Sequence, residues 1–106
     1  MWQIIRKQTR PDTTVNFFAM ANNTLVSAEL KKHWADTYAI TDKIIYVGTE
    51  MSEDQLELTM TMIWDSRASL DQMLTDPICI EQLLNVKDAY LQENNMQEIL
   101  VSSMEV

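Results

Sequence analysis

Residues Leu56 to Asp65, LELTMTMIWD, set Leu56, Leu58, Met60, Met62 and Trp64 in strict alternation with Glu57, Thr59, Thr61, Ile63 and Asp65. Successive side chains of a strand point to opposite faces, so the run is a β-strand with one continuous apolar face and one mixed face. A chain that contains such a strand must cover its apolar side. The remaining segments can be sorted by how they do so.

Met1 to Thr9 forms a first strand, with Trp2 and Ile4 alternating and Ile5 on the opposite face. Arg10-Pro11-Asp12 ends it, because proline has no amide to give to a ladder. The segment from Thr13 to Asn23 carries Val15, Phe17, Phe18 and Met20 and fits neither period. It reads either as an irregular connection or as an early helical turn that lays Phe17 or Phe18 over a cavity mouth. Asn22 or Asn23 is placed to cap a helix from about Thr24 to Tyr38, whose inner stripe is Val26, Leu30, Trp34 and Tyr38. Ile44, Ile45, Tyr46 and Val47 then mark a second strand, from about Asp42 to Met51, with both faces partly buried. The single glycine, Gly48, is a candidate bulge inside it.

Ser52-Glu53-Asp54 reads as a polar hairpin into the Leu56 to Asp65 strand. Asp65 or Ser66 caps the next helix, which Asp76-Pro77 breaks and restarts, since the residue before a proline is pushed out of helical geometry. The restarted helix, about Pro77 to Glu93, carries Ile80, Leu83, Leu84, Lys87, Tyr90 and Leu91 on one stripe. Asn94-Asn95 ends it, and Glu98 to Val106 is a last strand. The order is β-α-β-β-α-β over residues 1–106. One α+β domain is expected, in which the third strand fills the gap left by the right-handed crossover and both helices cover one face of a four-stranded antiparallel sheet.

The other face is not cleanly polar, since Ile5, Ile63 and residues of the second and fourth strands fall on it. Covering it with the same face of a second subunit is the most economical solution, and a homodimer is expected. A formal charge of −8 argues against nucleic acid and anionic membranes as partners. No apolar run approaches the roughly 20 residues needed to span a bilayer. One cysteine, Cys79, excludes an internal disulfide and reads as a packing residue, and no secretion signal is visible. The expected location is the cytoplasm.

The element order and the segment MIWDSRASLDQMLTDP resemble the dimeric α+β barrel group of ferredoxin-like proteins, which includes the antibiotic-biosynthesis monooxygenase-like domains. The matching features are a tryptophan ending the strand, a polar helix start and an Asp-Pro helix break. The resemblance implies two sheets facing each other across a dimer, with small organic molecules bound between sheet and helices. It does not imply one reaction, because chemistry varies widely among such proteins.

His33 is the only histidine, so a histidine metal cluster or an acid–base histidine pair is excluded within one subunit. Beside Leu30 and Trp34, it is either a half-exposed residue at the helix margin or the candidate catalytic residue, moving a proton with Asp36 or Thr37 one turn on. Trp2, Phe17, Trp34, Met60, Met62 and Trp64 are the candidate ligand-binding residues, supplying flat and adaptable apolar surface; core packing is the competing explanation for each. Glu50, Glu53 and Asp54 cluster at the hairpin as a solvated turn, and no dedicated metal site or cofactor is expected. Three functions fit: binding of an apolar, acyl-chain-like molecule in the barrel or the sheet–helix cleft; a cofactor-independent monooxygenase or isomerase using His33; or an interaction module with no ligand.

Overall fold

A computed structural model describes residues 1–19 and 24–106. Strand β1 (Trp2–Thr9) is followed by helix α1 (Ala28–Trp34), which widens into a π-helical turn at Ala35–Ala39. Strands β2 (Ile44–Met51) and β3 (Glu57–Trp64) form a hairpin, and helix α2 (Arg67–Thr75) stops at Asp76. Helix α3 (Pro77–Cys79) runs through a second π-helical turn, Ile80–Leu84, into α4 (Asn85–Glu93), and β4 (Gln97–Glu105) closes the sheet. The strand order is β2-β3-β1-β4 with every neighbouring pair antiparallel, so β3 is central and beside β1, as the crossover argument requires.

The two periods predicted for β3 and α1 converge on one core. Trp64 is fully buried against Trp34 and Tyr38, with ring centroids 5.7 Å away in both cases and both contacts edge-on. Ile4, Val26, Leu30, Leu70 and Met73 complete the layer between the helices and this face of the sheet. Asn94 caps α4 and Asn95 takes φ 54°, the left-handed conformation expected to end that helix.

Four local readings are corrected. Helix α1 begins at Ala28 with Ser27 as its cap, the Ser27 hydroxyl accepting from the Leu30 amide at 3.1 Å; Asn22 and Asn23 lie outside the described residues. Because Ser27 also donates to Gln82 on the far helix, Ser27→Ala should lower stability by about 1 kcal/mol in urea unfolding. The β2 bulge falls at Ile45, not Gly48: Ile44 pairs with Trp64 and Tyr46 with Ile63, leaving Ile45 unopposed. Gly48 instead lies beneath the Tyr46 ring, where a Cβ would come within 2.2 Å of the phenol oxygen. Strand β2 is also largely exposed in the single chain rather than buried on both faces, because it is an edge strand; Ile45, Tyr46 and Val47 are all exposed. Finally, Ile80 is exposed, and the stripe that α3 and α4 bury passes through Cys79, Leu83 and Leu91.

Candidate functional site

Strand alternation gives the helix-facing side of the sheet Ile4, Arg6 and Gln8 from β1, Met60 and Met62 from β3, and Val47 and Thr49 from β2 through their pairing with those methionines. The helices do not fill the space above these residues. A cavity of about 340 Å³ remains, walled by Ile4, Trp34, Met60, Met62, Met73 and Leu83, within the size range of small-molecule sites. Val47 and Thr49 line its side toward the β2 edge.

The opposite side, over β1 and β4, is polar. Glu98 pairs with Gln8 across the ladder, and Lys87 reaches down from α4 to donate to Glu98 Oε1 at 2.7 Å. Gln8 Nε2 donates to Glu98 Oε2 at 2.9 Å, and Arg6 Nε stands 3.8 Å from Glu98 Oε1. Gln8 is fully buried and also grips the chain beyond β1, since its amide donates to the Phe18 carbonyl and accepts from the Phe18 amide, both at 2.9 Å. That reciprocal pair fixes the approach of the connecting segment and sets Phe18 into the cavity wall. Tyr90 helps from above, donating to the Asn16 carbonyl at 2.6 Å and packing 5.7 Å from the Phe18 ring.

Of the residues singled out in the sequence, Trp34, Met60 and Met62 are brought together in the cavity wall. Trp64 lies behind them in the core, and its indole N–H has no hydrogen-bond partner among the described residues. Trp2 is on the same sheet face but outside the lining; it donates to Ser103 Oγ at 2.8 Å and is covered by the Arg67 guanidinium, 4.8 Å from its ring. Phe17 turns away and stacks on Arg10 at 4.3 Å, beside a second hollow, so of the two adjacent phenylalanines only Phe18 reaches the cavity. Arg10 is held there by donating to the Gln55 and Val15 carbonyls at 2.7 and 2.8 Å.

His33 is also outside the lining. Its Nε2 meets Asp76 Oδ2 at 2.5 Å, and the buried Tyr38 hydroxyl donates to the same oxygen at 2.7 Å. Neither Asp36 nor any other acid on α1 partners it: Asp36 pairs with Lys32, and Thr37 Oγ1 stands 3.4 Å from His33 Nδ1. Asp76 Oδ1 accepts the Ile78 amide at 3.0 Å, capping α3. Burial would raise the Asp76 pKa, but the hydrogen bonds from His33, Tyr38 and Ile78, with the nearby imidazole, outweigh it and bring the group down to about 2. Burial pushes the Tyr38 hydroxyl well up, and donation to Asp76 adds to this. Burial, then the Asp76 charge, pushes the Cys79 thiol up to about 12.

His33, Asp76 and Cys79 place one potential ligand atom each within 4.8 Å of one another. Both Asp76 oxygens and His33 Nε2 are engaged with one another, Tyr38 and Ile78, and burial beside the Asp76 charge disfavours the Cys79 thiolate. The donor set is therefore a hydrogen-bonded clasp joining α1 to the α2–α3 break rather than an open site.

Sequence reasoning missed the polar side of the cavity. Arg6 and Gln8 continue the Trp2 and Ile4 alternation on β1, and that spacing was the available signal. The meeting of Glu98 and Lys87 with them depends on β4 register and helix placement, which no local pattern states.

No protein-family profile matches the chain, and no curated protein does. Two solved structures are similar to it over nearly its whole length. One is a candidate antibiotic biosynthesis monooxygenase from Deinococcus radiodurans, 14% identical, with a TM-score of 0.50 over 100% of this chain and 95% of that one. The other is a dimeric ferredoxin-like protein from an uncultured marine organism, 13% identical, with a TM-score of 0.51 over 99% of this chain and 97% of that one. The fold is the ferredoxin-like βαββαβ that these two structures share. At such identities the likeness establishes the fold and leaves the chemistry to be argued from the site. Among the described residues no helix is long and apolar enough to cross a membrane.

Proposed function

We propose that the protein is a homodimeric α+β barrel protein that binds an apolar small molecule in the cleft between its sheet and helices. The observation that carries this reading is the 340 Å³ cavity walled by Trp34, Met60, Met62 and Met73 in a chain of only 106 residues. Protein interiors are close-packed, so a space of this size between sheet and helices is a candidate ligand site rather than ordinary packing loss. Methionines suit an adaptable wall, because their unbranched thioethers fit irregular apolar shapes. The free, buried Cys79 is consistent with a reducing compartment such as the cytoplasm.

The dimer draws support from the sheet's other face. Ile5, Tyr46, Ile63, Ile99 and Met104 point away from the helices by their ladder register, and Tyr46, Ile99 and Met104 are about half exposed in the single chain. One solved structure of the same fold is described as dimeric. A monooxygenase or isomerase that uses His33 draws less support, because the imidazole is engaged with Asp76 away from the cavity.

The neutral fluorescent probe N-phenyl-1-naphthylamine tests the cavity directly. It should bind with one site per protomer and with quenching of tryptophan emission, as Trp34 lines the wall. Met62→Trp, which fills the space, should weaken binding at least about tenfold. A probe that does not bind, or that binds Met62→Trp equally well, would favour an interaction module without a ligand.

A further inference from the structure

Arg6 supplies the cavity with something an apolar molecule does not need. Its side chain is 24% exposed, it lines the cavity, and its guanidinium makes no hydrogen bond to any described residue; its one charged neighbour is Glu98, at 3.8 Å. Glu98 satisfies it only in part: at 3.8 Å the contact is an ion pair without a hydrogen bond, while Lys87 and Gln8 donate to the two carboxylate oxygens at 2.7 and 2.9 Å. Counted together, two cations face one carboxylate on this side of the cavity. The local excess is positive within a protein whose net charge is −8.

A partly buried guanidinium with one ion pair at 3.8 Å and no hydrogen bond from the described residues is incompletely compensated, and a partner of opposite charge and matching geometry would complete it. The planar fork of an arginine matches a carboxylate through two parallel hydrogen bonds. The polar side lies over β1 and β4, while Val47, Thr49, Met60 and Met62 form the floor over β2 and β3, so head and body would separate across the sheet.

Resting on the cavity reading above, we propose that the ligand is an amphipathic acid: an apolar chain or ring system with a single anionic head, a carboxylate by geometry. The head is seated on Arg6 and the body lies along Met60 and Met62. Lys87 holds Glu98 neutralised, so that the acidic side chain does not repel the head. Arg6 thus determines specificity, and the apolar wall supplies most of the contact area.

Displacement of N-phenyl-1-naphthylamine by sodium decanoate and by 1-decanol at pH 7 compares two probes that share a ten-carbon chain and differ at the head. Decanoate should bind at least about tenfold more tightly than decanol to the wild-type protein, the margin expected of a charged hydrogen-bonded pair. Arg6→Met should bring the ratio of the two affinities close to one. Arg6→Lys, which keeps the charge and loses the fork, should fall between. The ratio is taken within each protein, so a general change in cavity shape acts on both probes and cancels. Equal affinities in the wild type, or a ratio that survives Arg6→Met, would overturn the anionic head while leaving the apolar cavity standing. Failure of the naphthylamine and of both ten-carbon probes to bind would overturn the cavity reading and this inference with it.

Discussion

Replacing Asp76 with alanine should lower the free energy of unfolding at pH 7 by about 3–5 kcal/mol, the usual result of deleting one member of a buried charged network. The substitution leaves the fully buried Tyr38 hydroxyl and the half-buried His33 imidazole without their shared acceptor, and it uncaps the Ile78 amide at the start of α3. Urea unfolding followed by tryptophan fluorescence would measure the loss; a change under about 1 kcal/mol would mean that the clasp does not hold α1 to the helix break. The same carboxylate makes a pH prediction. Its pKa falls from an ordinary 3.8 to about 2 in the folded protein, so folding favours the ionised form. The contribution, about 2 kcal/mol from the size of that shift, is fully present above pH 4 and is lost as the pH falls through 2. Between pH 4 and pH 2 the wild type should therefore lose more stability than Asp76→Ala does, and parallel acid profiles for the two would refute this assignment.

The second large effect is expected at Ile63, on an inner strand of the sheet face that the helices leave bare, next to the last residue of β3. Ile63 sits between Gln3 on β1 and Tyr46 on β2, and on its own strand Thr59 and Thr61 share its side. In a two-fold dimer built on this face, each substitution enters the interface twice. Ile63→Lys would bury two like charges without partners, at several kcal/mol each, enough to weaken the dimer about a thousandfold or more. Sedimentation of the wild type should give a dimer at micromolar concentration and the variant a folded monomer with unchanged circular dichroism. A wild-type monomer would end the barrel reading, and a dimeric Ile63→Lys would place the contact on another surface.

Much of this fold could be read from local pattern because its main signals are local. The Leu58 to Trp64 alternation, the Asp76-Pro77 break and the Asn94-Asn95 stop each need only a few neighbouring residues, and each falls where expected. The π-helical turns were not read from the sequence, although their trace is there. Leu30, Trp34 and Tyr38 recur every four residues, as do Cys79, Leu83, Lys87 and Leu91; on a 3.6-residue helix such a stripe drifts by about 40° at each step. A wide turn at Ala35–Ala39 keeps Tyr38 facing Trp64. A second, at Ile80–Leu84, takes Ile80 out of the buried stripe and keeps Leu83 and Leu91 in it. What local pattern did not carry were contacts between distant segments. His33 meets an aspartate 43 residues away, Gln8 holds the backbone of Phe18, and Arg6 and Lys87 converge on Glu98 only when β4 docks in register. The exposure of β2 likewise follows from its place in the strand order and not from its composition.

The bulge at Ile45 has a counterpart at the other edge of the sheet, where Ile5 pairs with Ser102 and Arg6 with Leu100, leaving Val101 unopposed. Both edge strands therefore depart from regular pairing within segments rich in exposed Ile, Val and Leu, the composition that invites strand addition by a neighbouring chain. A bulge bends and twists the strand that carries it, so an incoming flat strand cannot match its hydrogen bonds in register. Growth by edge-to-edge addition has no fixed end, whereas stacking through the bare face closes after two copies. The two interrupted ladders thus disfavour strand addition at both edges, where exposed apolar residues would otherwise invite it.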